Sequence, residues 1–239
     1  MSTAVGIVLL LGVVAYAVFG GADFGAGFWD LTAGGVKRGT RVRGVIERAI
    51  GPVWEANHVW LIFVFVVLWT AFPQAYASIA LTLFVPLALA ALGIVLRGTS
   101  FAFRKGVETT RARRVFGGAF ALSSVLVPYC LGAVAGAVAS GRVPDGGRAG
   151  DPWRSWVNPT SALSGVLAVA AVAYLSAVYL VWDARRFGDD DLAEGFRRRA
   201  VVSAVVVAGL VVVPAFVLLY VLDQRGLLPE EDADIARRG

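Results

Sequence analysis

Six continuous apolar runs dominate the chain, at about residues 4–21, 53–72, 76–97, 115–139, 160–182 and 200–222. Each is long enough to cross a hydrocarbon layer of roughly 30 Å as a helix. The apolar residues run on without the every-second-residue alternation of a barrel strand, and a helix satisfies its own backbone hydrogen bonds in lipid. The pattern therefore predicts an all-α integral membrane protein, a polytopic bundle of about six transmembrane helices. The first run lacks the preceding positive charge and the following small-residue site of a cleavable signal peptide, and is read as retained.

Polar positions between the runs set the orientation. Lysine and arginine number 16 in the first, third and fifth connections, against 6 in the remaining connections and tail. The positive-inside rule then puts the odd connections in the cytoplasm and both termini outside. As organisation this predicts one membrane domain over 1–239: a first four-helix bundle (1–140), an outside loop (141–159) with Trp153 and Trp156 at the interface, two further helices (160–222), and an acidic, frayed tail (223–239). The fifth connection, with Asp183, Asp189, Asp190, Asp191 and Glu194 among arginines, reads as a solvated helical hairpin. Pro86, Pro128 and Pro214 are kink positions inside spans, and Gly132 and Gly136 are a close-packing pair.

Composition narrows the chemistry. Of 239 residues, 58% are hydrophobic and 16% charged, against roughly 45–50% and about 25% in soluble domains, which excludes a water-soluble globular fold. The net charge of +5 lies in short connections, so it points to membrane orientation and not to nucleic acid. A lone Cys130 excludes a disulfide framework or a cysteine-ligated cluster within the chain, and one histidine, His58, with one methionine, Met1, limits haem and zinc ligation. The glycine run after the first span lacks the preceding strand and the lysine of a phosphate cradle.

Ionisable groups inside a membrane are costly and mark function. Asp23 sits in Gly20-Gly21-Ala22-Asp23-Phe24-Gly25-Ala26-Gly27, a run able to bend the chain and bring backbones close. Glu55 opens the second span and Arg97 ends the third, so three charges from three helices are expected to converge. In Trp54-Glu55-Ala56-Asn57-His58-Val59-Trp60 the helical period puts Glu55 and His58 on one face and Asn57 about 200 degrees from Glu55. A carboxylate beside an imidazole can relay protons. The plainer alternatives are a helix-end carboxylate at the positive end of the dipole and a packing histidine.

The segments Gly21-Ala22-Asp23-Phe24-Gly25-Ala26-Gly27 and Gly51-Pro52-Val53-Trp54-Glu55-Ala56-Asn57-His58-Val59-Trp60-Leu61 together resemble subunit II of the cytochrome bd-type quinol oxidases. Arg97 with Phe101 and Arg104, and Asn158-Pro159, extend the likeness to about residues 4–222. The resemblance implies a haem-free accessory subunit in the plasma membrane, paired with a haem-bearing subunit I that holds haem b and haem d and takes quinol as substrate, the pair reducing oxygen to water in the respiratory chain. It implies no catalytic or metal-ligating residue on this chain and no nucleic-acid partner. Proton-path candidates are Glu55, where many relatives have aspartate, His58 and Asp23. Candidates for structural or subunit contact are Trp54, Asn57, Trp60, Arg97, Gly21 and Gly25. A second acid common in the family falls at Ala102 here, and six spans stand where the family usually has eight, so the sequence reads as either a naturally short form or a truncated one. The rival readings are a small transporter component, suggested by a broken first span and the intramembrane acids, and an oxidase subunit with a purely structural role.

Overall fold

The computed structural model describes residues 2–34, 39–104 and 110–225. Lys37, Arg38, Lys105, Arg237 and Arg238 of the charge count, and the acidic tail beyond Arg225, lie outside the described residues. Among the described residues no strand occurs, and six helices are long and apolar enough to cross a membrane.

The first crossing differs from its expected extent. Helix α1 (Ser2–Ala15) passes through a π-helical turn (Tyr16–Gly20) directly into α2 (Gly21–Thr32), giving one helical run across the glycine segment. The glycines do not break the helix because neighbours need their missing side chains. A Cβ on Gly25 would lie 1.9 Å from the Val172 carbonyl oxygen, and one on Gly27 would lie 2.0 Å from Ser124 Oγ. Asp23 consequently sits nine residues, roughly 13 Å, inside the end of a long helix, not just beyond a short one.

A short amphipathic helix, α3 (Thr40–Ile50), follows. Its Val42, Val45, Ile46 and Ile50 recur at helical spacing and are buried, in one cluster with Trp29, Leu180 and Phe196. Arg43 pins it to α2 through Asp30 (Nε to Oδ1, 2.5 Å) and the Gly34 carbonyl (2.7 Å). Helix α4 (Trp54–Ala71) is the second crossing and packs against α1 and the π-turn, with none of its residues fully buried. The third run is divided: α5 (Pro73–Thr82) ends at Leu83, and α6 (Phe84–Arg104) makes the crossing. Pro86 stands in the first turn of α6, where a missing N–H costs least.

Helices α6, α7 (Thr110–Ala139), α8 (Pro159–Arg186) and α9 (Asp190–Gln224) pack each against the next. Gly132 and Gly136 face Ser161, Ser164, Gly165 and Ala168 of α8 with no room for a Cβ, as the small-residue spacing predicts. Asn158 caps α8 by accepting from Ser161 N (3.0 Å), with Pro159 in the first turn. The α8–α9 hairpin turns at Gly188, whose φ of +75° favours glycine. The connection before α8 is tied to α5 by Gly147 N donating to Ser78 Oγ and Gly150 N donating to Thr82 Oγ1. Within it Asp151 accepts from the amides of Trp153 and Arg154, which holds its carboxyl below the usual range. Apolar residues such as Leu10, Ile62, Val95, Leu122 and Val205 are exposed over the crossings, as lipid contact requires.

Candidate functional site: a buried charge cluster between four helices

Arg97, on α6, is 2% exposed. Its guanidinium donates from Nη2 to the backbone carbonyl of Asp23 (2.5 Å) and from Nη1 to Ser124 Oγ of α7, and lies over the rings of Phe24 and Phe120 at 4.9 and 4.5 Å. Gly27 leaves the space this contact occupies. The fork geometry and flat faces of arginine suit two acceptors and two rings at once.

The Asp23 carboxylate, 3% exposed, faces elsewhere: Asn57 Nδ2 donates to its Oδ2 (2.9 Å) from α4. Among the described residues no ion pair joins it to Arg97. A buried carboxylate and a buried guanidinium thus share one residue's neighbourhood without closing on each other. Beside them His58 is half-buried, its Nδ1 2.9 Å from the Trp54 carbonyl and its ring edge-on to Tyr16, Phe24 and Trp54 at 6.1, 5.8 and 6.4 Å. Tyr16, in the π-turn, is buried, and its hydroxyl has no hydrogen-bond partner among the described residues. π-helical turns concentrate at functional sites.

The sequence candidates separate cleanly. Asp23, Arg97, Asn57 and His58 come together. Glu55, expected to converge with them, is exposed on α4, on the opposite side from Asn57 as the period requires. Trp54 packs on His58 and Phe101, Trp60 is 39% exposed beside Phe63, and Gly21 and Gly25 face Val172. Reading the sequence missed Tyr16 and Ser124. Ser124 carries no signal of its own, whereas a tyrosine seven residues before Asp23 on a continuous helix would have been found had the glycine run been taken as helical.

Asp23 and Asn57 also line a cleft of about 170 Å³ between α2, the end of α3, the start of α4 and α8. Among the described residues no three histidine, cysteine or acidic side chains gather as a metal site.

A multi-pass helical membrane protein with a buried arginine–aspartate–asparagine cluster is the class that fold and site define. Residues 1–229 match the family cytochrome bd terminal oxidase subunit II, and the chain belongs to that family. It is 29% identical over 182 residues to cytochrome bd-I ubiquinol oxidase subunit 2 of Escherichia coli (strain K12), covering 72% of this chain and 46% of that protein. It is 31% identical over 112 residues to cytochrome bd ubiquinol oxidase subunit 2 of Bacillus subtilis (strain 168), covering 47% and 32%. The chain therefore spans about half or less of the length of the curated relatives it matches.

Proposed function

We propose that this chain is a haem-free accessory subunit of a bd-type quinol:oxygen oxidoreductase, set beside a haem-bearing subunit I, and that it passes protons from the cytoplasm toward the partner. The observation that carries the proton role is the Asp23 carboxylate, buried in a crossing helix, held by one neutral hydrogen bond and left out of any ion pair. A carboxylate neutralised by a tight ion pair would hold its charge, whereas one bonded to an amide can take up and release a proton. Reduction of oxygen to water consumes protons as well as electrons, so such a group suits the complex. Tyr16, roughly 10 Å further along the same helical run, offers the next hydroxyl inward. Glu55 is the outer candidate, exposed at the start of α4 to water or to the partner, and His58 lies between the helices of this route. The basic end of the bundle is taken as cytoplasmic, with both termini outside.

Haem does not fit this chain's residues. His58 is the single internal histidine, its ring is boxed by three aromatic side chains, and it does not line the cleft. That cleft, at about 170 Å³, falls short of the roughly 300–1,000 Å³ of a cofactor pocket. The stabilising role is supported by α4, which leaves no residue fully buried and so offers a whole crossing helix to a neighbour.

The test is expression of the chain alone and together with a haem-bearing subunit I, followed by absorption spectra of each purified sample. Haem bands are expected only in the co-purified complex. A stoichiometric Soret band from the lone chain, lost in His58→Ala, would overturn the haem-free reading, and failure to co-purify would overturn the partnership.

A further inference from the structure

Three consecutive arginines, Arg197, Arg198 and Arg199, stand directly before the apolar run 200–222, which carries no charged residue. They mark the membrane boundary at the basic end of α9. Successive helical residues are about 100° apart, so the three side chains meet different surroundings. Arg197 and Arg198 both reach back to Glu194, at 3.4 and 3.6 Å, and are exposed. Arg199 is half-buried and turns toward α2, its guanidinium carbon 5.3 Å from the Trp29 ring centroid and 5.2 Å from that of Phe196. Trp29 is fixed there by its indole N–H, which donates to the Ala173 carbonyl at 2.9 Å. Among the described residues Arg199 has no hydrogen-bond or ion-pair partner. The acid next to Trp29 in the chain, Asp30, is held by Arg43.

A guanidinium laid over rings keeps its N–H donors, which lie in its own plane, open to an acceptor. Leaving such donors unbonded beside hydrocarbon is costly. Three, seven and fourteen residues further on, Val202, Val206 and Val213 fall within about 60° of the direction of Arg199 around the helix. All three are exposed. An unpaired cation at the boundary thus heads an apolar track that runs into the bilayer. We propose that Arg199, steadied on Trp29, is the headgroup site of an anionic phospholipid in the leaflet at the basic end of the bundle. The phosphodiester oxygens accept from the guanidinium fork, and an acyl chain lies along Val202, Val206 and Val213. One unpaired positive charge suits a lipid with one net negative charge. A zwitterionic lipid carries its own ammonium group, which competes for the phosphate, so phosphatidylglycerol is favoured over phosphatidylcholine.

The test uses the full chain purified from membranes with any subunit that accompanies it, exchanged into detergent containing equal phosphatidylglycerol and phosphatidylcholine of the same acyl chains. Native mass spectrometry counts the lipids retained. The wild type is expected to keep one phosphatidylglycerol. Arg199→Gln should lower that retention about tenfold, whereas Arg197→Gln, which removes a neighbouring boundary charge, should leave it as in the wild type. Should Arg199→Gln fail to accumulate, Arg199→Lys decides: it keeps the charge but loses the fork, and retention is expected to fall about threefold. Wild-type retention in the Arg199 variant, an equal loss in Arg197→Gln, or phosphatidylcholine kept as well as phosphatidylglycerol would each overturn the site. Release of the lipid by millimolar inorganic phosphate would also overturn it, because the acyl track would then contribute nothing.

Discussion

Arg97 grips Asp23 by its main-chain carbonyl and leaves the carboxylate to Asn57. The guanidinium is thereby a structural fastener among α2, α6 and α7, and the carboxylate is left outside that grip. Arg97→Lys is expected to lose the fork to two acceptors and the two ring contacts, at a cost of about 2 kcal/mol. Ser124→Ala is expected to cost about 1 kcal/mol. Thermal unfolding of the purified complex checks both, with Arg97→Lys the larger shift. Equal stability of Arg97→Lys and wild type would contradict the fastener role.

Helical glycines differ in consequence with their surroundings. Gly25→Ala drives a Cβ into the Val172 carbonyl, a backbone atom that cannot swing aside, whereas Gly44 on α3 has nothing within 4 Å. Gly25→Ala should therefore destabilise by about 3 kcal/mol or prevent accumulation, and Gly44→Ala should leave the protein unchanged or slightly steadier. Yield and thermal midpoint of the two variants decide it.

The 16 to 6 split of basic residues predicts that both termini lie outside. Single cysteines at Gly146, between α7 and α8, and at Gly188, between α8 and α9, in a Cys130→Ala background should react with a membrane-impermeant reagent from opposite sides. Gly146 should react from outside intact cells, and Gly188 only after lysis. The reverse pattern would invert the topology.

The number of crossings was legible because lipid demands long apolar helices, and six runs can be counted directly. Their limits were less legible. The glycine run reads as a bend when propensity is considered alone, but Val172 and Ser124 require those glycines within a helix. Helix α3 carries its signal in Val42, Val45, Ile46 and Ile50, at spacings of three, one and four, easily passed over in a connection read for charge. At the site, Asp23 and Arg97 stood out as intramembrane ions, and the period correctly set Asn57 opposite Glu55. Which of those two faces points inward is decided by the packing of α4 against α1 and the π-turn, and periodicity holds no information on that. The Arg97–carbonyl bond, made across 74 positions, depends on tertiary approach alone.

Burial ranks the two acids. Glu55 is exposed, so water or another carboxylate can substitute for it, and Glu55→Ala is expected to slow the assembled oxidase about two- to threefold, with Glu55→Asp near wild type. Asp23 is buried, and on the proposed proton role its loss is expected to cost more. The most direct measurement is proton uptake and oxygen consumption by the assembled Asp23→Asn oxidase at matched haem content. A fall of about tenfold or more in both, with an unchanged haem spectrum, is expected. Wild-type rates in Asp23→Asn would contradict the proton role and leave this chain a structural subunit.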